Sequence, residues 1–138
     1  MPQSPQAIAF TFVNAINHHD VEELSNLMSA EHTFIDSLGT TVRGKDKMRD
    51  GWAAYFRMVP DYTVTVEETF SYGPIVVMLG WARGTYVRGG GQLLPENCWQ
   101  TPAAWRARIQ DEKVAEWRVY SDNEPIRQLM ARSKEGRR

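Results

Sequence analysis

The stretch of sequence that decides the fold is CWQTPAAWRARIQDEKVAEWRVYS, which occupies residues 98–121. In its first half, one side of an alternating pattern consists of Trp99, Thr101, Ala103, Trp105, Ala107 and Ile109. The other side includes Arg106 and Arg108, and alternation of this kind predicts a strand with one buried face. Residues 110–113 are polar and predict a turn, and residues 114–121 predict the last strand of the chain.

Two more long strands precede this hairpin. Residues 62–72 alternate apolar and polar side chains, and after a turn at Gly73 and Pro74 residues 75–87 predict the next strand. Glu68 interrupts the apolar face of the earlier strand. Burying an unpaired carboxylate is unfavourable, so a β-bulge that shifts the register and exposes Glu68 is the preferred interpretation.

Helices dominate the first half of the chain. Ser4 followed by Pro5 is typical of a helix start, and Asp20 fits the N-cap of a second, shorter helix. A short strand is predicted at residues 33–36, and the apolar spacing over residues 45–58 predicts a third helix.

The order of these elements predicts the architecture. Helices precede a meander of four long strands, and a last helix begins at Glu124, a grouping that favours an α+β fold. Long strands twist strongly, so the sheet should curve around the helices. We expect one domain over residues 1–138, a cone in which a curved, mixed or antiparallel sheet wraps the N-terminal helices and leaves an internal pocket.

Composition excludes several classes of partner. The 138 residues include 16 Lys and Arg against 17 Asp and Glu, a net charge of −1, whereas proteins that bind nucleic acid usually carry a basic excess. Neither nucleic acid nor a membrane is therefore an expected partner. No apolar run approaches the roughly 18 residues of a membrane span, no basic segment opens a secretory signal, and the single Cys98 fits a reducing cytoplasm.

Several local motifs resemble those of one superfamily. They are FVNAIN at residues 12–17, FIDSLG at residues 34–39, and EWRVYSD at residues 116–122. In these motifs the chain resembles the nuclear transport factor 2-like superfamily, whose fold is the cystatin-like cone, and within it the SnoaL-like polyketide cyclases and the ketosteroid isomerases. The resemblance covers nearly the whole chain and implies the fold, but this superfold carries many unrelated functions.

The resemblance implies two catalytic residues. Asp36 stands where the ketosteroid isomerases place their base, and Asp122 matches the acid–base aspartate of the SnoaL-like cyclases. Other groups of these families are replaced. The isomerases' oxyanion tyrosine falls at Phe12, their protonated aspartic acid falls near Ala104, and the cyclases' histidine falls at Tyr86. Isomerase activity of the ketosteroid type is therefore not expected.

Both aspartates also have structural interpretations. Asp36 follows an apolar strand and precedes a turn, where its side chain could accept bonds from the backbone near Ser37. Asp122 precedes the predicted terminal helix, where capping is a sufficient reason for its presence. If both carboxylates open onto one apolar cavity, they could instead shuttle a proton at a carbon next to a carbonyl group.

The chain is rich in aromatic side chains, with five each of Trp, Tyr and Phe. Those on the predicted enclosing elements are a candidate lining for a flat apolar ligand. They are Phe12, Phe34, Trp52, Tyr55, Phe56, Tyr86 and Trp99. Among them, the expected substrate-binding residues are Tyr86, Tyr55, Trp99, Phe12 and Trp52. The alternative is that these rings fill a sheet–helix core or a dimer interface.

No metal or cofactor site is expected. His18 and His19 are adjacent at a helix end and point apart, and no Cys, Asp or Glu accompanies them or His32 at the spacing of metal ligands. Cys98 has no predicted histidine neighbour to activate it as a nucleophile.

Two hypotheses about function follow from these observations. The first is a cofactor-independent isomerase, cyclase or hydrolase that acts on a small apolar carbonyl or polyketide-like molecule, with Asp36 as base and Asp122 as second acid–base group. The second is a non-catalytic module of the same fold that binds a small ligand or serves in dimeric assembly. The resemblance also implies a homodimer formed through the outer face of the sheet.

Overall fold

A computed structural model describes residues 3–88 and 91–135 of the chain. In the first half it contains α1 (Pro5–Asn17), α2 (Val21–Leu27), β1 (Met28–Ile35), β2 (Thr41–Arg43) and α3 (Lys45–Met58). In the second half it contains β3 (Thr63–Tyr72), β4 (Ile75–Thr85), a short 3₁₀ helix (Pro95–Asn97), β5 (Cys98–Gln110), β6 (Lys113–Ser121) and α4 (Glu124–Glu135). The predicted succession of helices and long strands is confirmed.

The six strands form one curved, unclosed mixed sheet in the order β2-β1-β6-β5-β4-β3. All neighbouring strands are antiparallel except β1 and β6, which run parallel. Helix α1 packs across strands β3 to β6, and α3 packs against β1 and β2. The core between sheet and helices contains the fully buried Trp105, Trp117 and Phe12. The predicted α+β class is confirmed.

Local capping explains where the first two helices begin. The Ser4 hydroxyl accepts a hydrogen bond from the Ala7 amide at 3.1 Å, and Pro5 occupies the first helical position, where no amide hydrogen is needed. The Asp20 carboxylate accepts from the Glu23 amide at 3.0 Å and starts α2. Both predicted N-caps are confirmed.

The β1–β2 region differs from the prediction. Strand β1 begins at Met28 rather than at residue 33, and its pairing with β6 shifts register between Met28 and Thr33. This irregularity breaks the alternation that would have marked the first half of the strand. Strand β2 was not predicted, because its three residues pair with β1 alone and carry no periodic signal of their own.

A β-bulge in β3 bends the sheet. Val66 pairs with Gly80 and Glu68 pairs with Leu79, so Glu67 is an extra residue that no residue of β4 pairs with in the register. Glu68 is exposed, and the predicted bulge is confirmed. Opposite the bulge, the Thr65 carbonyl oxygen occupies the space that a side chain at position 80 would need. A Cβ atom at Gly80 would lie only 1.8 Å from this oxygen. The close approach that bends the sheet therefore requires glycine.

His32 lies fully buried in the core on β1, beside Phe12. Its Nδ1 is 2.7 Å from the Val114 carbonyl oxygen, so Nδ1 carries the hydrogen, and Nε2 has no hydrogen-bond partner among the described residues. Burial lowers the pKa of His32, against smaller opposite effects from the Val114 carbonyl and the Glu116 charge. The imidazole is therefore neutral in the folded protein.

No helix in residues 3–88 and 91–135 is both long and apolar enough to cross a membrane. The cytoplasmic location expected from the sequence stays a prediction.

Replacing Gly80 tests the role of the bulge. Gly80→Ala should lower the free energy of unfolding by about 3 kcal/mol, because the added methyl group displaces the backbone of β3. Chemical denaturation measures the change. Gly51→Ala is the matched control, because its methyl group would make only ordinary contacts, 3.6 Å or more from Met48, within helix α3. Equal effects of the two substitutions would contradict this account of the bulge.

His32 should make stability depend on pH. Below pH about 6.5 the unfolded chain binds a proton at this side chain that the folded chain does not, so stability falls as pH falls. Between pH 7 and pH 5 the free energy of unfolding should fall more for the wild-type protein than for His32→Gln, measured by urea unfolding at both pH values. Identical pH dependence in the two proteins would show that His32 titrates normally in the core.

Candidate functional site

A cavity of about 370 Å³ lies between the sheet, α3 and the start of α4. Its volume is within the range of small-molecule sites. Its apolar lining consists of Phe34, Val42, Met48, Gly51, Trp52, Tyr55, Tyr62, Ala82, Trp99, Val119 and Ile126. Its polar lining consists of Asp36, Ser37, Thr101, Ser121, Asp122 and Asn123.

The two candidate catalytic aspartates line this one cavity. Asp36 directly follows β1 and Asp122 directly follows β6, and these strands are parallel neighbours. Adjacent parallel strands end at the same edge of a sheet, so both carboxylates lie towards one side of the cavity, and β6 continues three residues beyond the pair of Ile35 with Arg118 before Asp122 follows it. The pairing of β1 with β6 thus unites residues that lie far apart in the sequence.

Asp36 is held by the turn that follows β1. Its Oδ1 accepts hydrogen bonds from the Leu38 and Thr40 amides, both at 2.9 Å. The predicted Asx-turn is therefore present, and the same carboxylate also reaches the cavity. No hydrogen bond from a described residue falls on Oδ2, so one oxygen is fixed by the backbone and the other is available to a ligand.

Asp122 has a similar but more exposed arrangement. Its Oδ1 accepts from the amide of Glu124 at 2.9 Å, which satisfies the first amide of α4 and confirms the predicted capping role. The next residue, Asn123, donates its side-chain amide to the Ser37 hydroxyl. This bond joins the two loops that carry the aspartates and fixes their relative position.

Aromatic rings form the other wall of the cavity. The ring centroids of Trp52 and Tyr55 are 6.4 Å apart with an interplanar angle of 88°, and those of Tyr55 and Tyr62 are 5.0 Å apart at 87°. The ring centroids of Tyr62 and Trp99 are 6.1 Å apart. Those of Phe34 and Trp52 are also 6.1 Å apart, with an interplanar angle of 78°. Because most neighbouring planes are nearly perpendicular, the rings pack edge to face along this wall and do not stack in one layer.

The two phenols in this wall stay protonated. Burial raises the pKa of Tyr55, with a smaller contribution from the charge that Tyr62 would carry, and burial raises the pKa of Tyr62. Each hydroxyl is therefore a neutral group that can donate a hydrogen bond to a ligand at any ordinary pH.

Glycine at position 84 makes room for this wall. A Cβ at Gly84 would lie 2.2 Å from Cγ1 of Val59 and 3.4 Å from the Trp99 ring. Nearby, the Asp61 carboxylate accepts hydrogen bonds from the Thr85 amide and hydroxyl, both at 2.7 Å. The loop between α3 and β3 is thereby tied to the end of β4, which fixes the aromatic end of the cavity.

Three of the aromatic side chains expected in the pocket lie elsewhere. Phe12 sits in the core, where its ring is 4.7 Å from that of Trp117 and is not among the cavity-lining residues. Phe56 stacks on His19 at 4.1 Å. Tyr86 lies beyond the end of β4, where its amide donates to the Asn97 carbonyl, and it too is absent from the lining. Phe12 and Tyr86 are therefore not placed to bind a ligand in this cavity.

Sequence reasoning missed several lining residues. Tyr62 directly precedes β3, and the alternation over residues 62–72 predicts only that it shares the apolar face of that segment. Thr101 faces inward by the alternation of β5. Ala104, near which the resemblance places the protonated aspartic acid of the ketosteroid isomerases, instead pairs with Leu79 and Tyr120 on the outer face. Ser37 and Asn123 lie in loops, where periodicity predicts no direction.

Metal-ligating side chains do not gather in the part of the chain that the structure describes. Within it no group of three or more His, Cys, Asp or Glu is placed to hold an ion.

Comparison with known proteins agrees with this architecture. The family model of the SnoaL-like domain matches residues 9–117. No curated protein has a sequence that matches the chain.

Solved structures resemble the chain in fold. A candidate SnoaL-like polyketide cyclase from Shewanella denitrificans OS-217 is 18% identical, with a TM-score of 0.79 over 93% of this chain and 97% of its own. IdmH of Streptomyces antibioticus, a candidate polyketide cyclase, is 21% identical, with a TM-score of 0.76 over 94% and 99%. A hypothetical protein of ketosteroid isomerase-like fold from Catenulispora acidiphila DSM 44928, solved with trimethylamine, is 20% identical, with a TM-score of 0.69 over 82% and 83%.

Proposed function

The chain belongs to the SnoaL-like domain family, and on that premise we propose that it binds a small apolar carbonyl compound and catalyses proton transfer on it. The observation that carries the proposal is that Asp36 and Asp122 line one largely apolar cavity of about 370 Å³. Two carboxyl groups beside an apolar pocket can serve as general acid and general base without a cofactor. Relatives of the same fold are named as candidate polyketide cyclases, which supports this class of substrate.

Asp36 is the preferred base. Two backbone amides hold its Oδ1, which fixes the carboxylate in one orientation, and its Oδ2 can take a proton from the carbon next to the carbonyl group. Asp122 would be the second acid–base group: it takes a proton from solvent and gives it to the substrate, while Asp36 releases the abstracted proton to solvent, so both groups return to their starting states. Protonation at another carbon gives isomerisation. Attack of the carbanion on a second carbonyl gives ring closure, and the alkoxide formed there takes the proton. A hydrolase would use the same base to activate water.

Tyr55 and Tyr62 can assist this chemistry. The negative charge that forms on the carbonyl oxygen needs hydrogen-bond donors, and by the resemblance the oxyanion tyrosine of the ketosteroid isomerases corresponds here to Phe12. The two phenols line the same cavity and remain protonated, so they are the donors that this chain offers in its place. Trp52 and Trp99 would hold the flat part of the substrate.

A binding module without catalysis is the second candidate function. It is favoured by the bonds that the aspartates make, because each Oδ1 serves a turn or a helix start and these roles are sufficient to explain both residues. In that case the cavity holds a small apolar ligand that leaves unchanged.

We propose further that two copies of the chain associate through the outer face of the sheet. Register places Phe70, Leu79, Trp81 and Tyr120 on that face, and Phe70, Trp81 and Tyr120 are 57%, 37% and 47% exposed. The face is crossed by the Arg106–Glu116 ion pair, and the Arg118 guanidinium lies 4.8 Å from the Tyr120 ring centroid. Aromatic residues with arginine are typical of the centre of protein interfaces.

Proton exchange tests the catalytic proposal. The wild-type protein should accelerate exchange of the α-protons of a small cyclic ketone such as 1-tetralone into D₂O, measured by NMR. Asp36→Asn should lower this rate by about 100-fold or more, because the amide cannot accept the proton. Asparagine keeps the Oδ1 that accepts the Leu38 and Thr40 amides, so the turn should survive.

The control for this experiment is Asp46→Asn, which removes an exposed carboxylate from the first turn of α3 outside the cavity. Its exchange rate should equal that of the wild type. An unchanged rate in Asp36→Asn would remove Asp36 from the mechanism. Ketone binding with no accelerated exchange in the wild type would favour the binding module.

Sedimentation tests the association. The wild-type protein should sediment as a dimer at micromolar concentration, and Phe70→Glu should shift it towards monomer, because the charge must then be desolvated in the interface. Phe10→Glu alters an exposed ring on α1, away from the sheet, and should leave the dimer intact. A monomeric wild-type protein would contradict the proposal, as would a dimer that Phe70→Glu leaves unchanged.

A further inference from the structure

The charges around the cavity are of one sign. Among its lining residues are two carboxylates, Asp36 and Asp122, and no Lys, Arg or His lies among the described residues that line it. The electrostatic potential inside therefore favours positive charge. A neutral ketone gains nothing from this potential, whereas a cation does.

The aromatic wall fits the same kind of ligand. Trp52, Tyr55, Tyr62 and Trp99 follow one another around the cavity with centroid separations of 5.0 to 6.4 Å, and Phe34 adjoins Trp52. The face of an aromatic ring is negative and its edge positive. Several rings that line one small space can therefore contact a positively charged methylated nitrogen together, and the attraction is strongest where water is excluded.

The indole nitrogens show which part of each tryptophan meets the cavity. Nε1 of Trp52 and Nε1 of Trp99 are buried and have no hydrogen-bond partner among the described residues. Both side chains nevertheless line the cavity. The N–H groups are therefore not directed at the open space, and ring carbon atoms form the surface that these two side chains present to a ligand.

We propose that the cavity selects ligands with a tertiary or quaternary alkylammonium group, which the rings of Trp52, Tyr55, Tyr62 and Trp99 surround. The inference rests on the proposed function in that the same cavity is the ligand site, and it narrows the class of ligand. The substrate is then an apolar molecule that carries a cationic amine besides its carbonyl group. The rings hold the amine, and the carboxylates attract it and face the rest of the molecule.

A pair of probes with equal shape tests this selection. Choline and 3,3-dimethyl-1-butanol differ in that a positively charged nitrogen in one is a neutral carbon in the other. Titrations followed by NMR should show choline binding at least tenfold more tightly than the neutral alcohol. Because the probes have the same size and apolar surface, this ratio isolates the contribution of the charge.

Variants at Tyr55 locate the effect in the aromatic wall. Tyr55→Leu removes one ring and should weaken choline binding about tenfold, whereas Tyr55→Phe keeps the ring and should stay within about threefold of the wild type. Tyr55 is largely buried but lies at the cavity, outside the fully buried core, so both variants should fold, and circular dichroism checks this. Phe10→Leu removes a ring on α1 outside the cavity and should change nothing.

The outcomes separate this inference from the proposed function. Equal affinity for the two probes, no measurable choline binding, or equal loss in Tyr55→Leu and Tyr55→Phe would each overturn the ammonium selection. Ketone exchange that depends on Asp36 would still stand in all three cases, because 1-tetralone carries no charge. Loss of that exchange activity with choline selectivity intact would instead reject the chemistry and keep the ligand class.

Discussion

The contact on which the structure depends is the approach of the Thr65 carbonyl oxygen to the backbone of Gly80. A Cβ at position 80 would lie 1.8 Å from this oxygen, so strand β3 can bend inward only because the facing residue has no side chain. The extra residue at Glu67 increases the local twist. A flat sheet would press its side chains directly against the helices, whereas a bent one leaves a space that side chains line and do not fill.

A second constraint brings the two candidate catalytic aspartates to the edge of that space. The parallel pairing of β1 with β6 ends two strands at the same edge, and the residue after each strand is an aspartate. The bond from Asn123 to Ser37 ties the two turns together. The site thus has two parts, a polar side built from loop backbone and carboxylates and an aromatic side built on α3, β3 and β5. An enzyme that moves a proton and a module that holds a ligand would both use this division.

Sequence patterns predicted most of the architecture correctly. Alternation located the four long strands, and hydroxyl and carboxylate caps located the starts of α1 and α2. Glu68, a carboxylate on the otherwise apolar face of its predicted strand, correctly indicated the bulge. The start of β1 and the whole of β2 were missed, because an irregular register and a three-residue strand leave too few alternating positions to detect.

The sequence by itself determined the class of fold, through local periodicity, and the abundance of aromatic side chains, through residue type, while its resemblance to known families singled out the two aspartates. Only the tertiary structure decided which rings face the cavity. It assigned Phe12 and Phe56 to the core, left Tyr86 beyond the end of β4, and brought Tyr62 into the wall. The physical reason is that periodicity defines the inward face of each element, while the bend of the sheet decides whether an inward side chain meets another element or an open space.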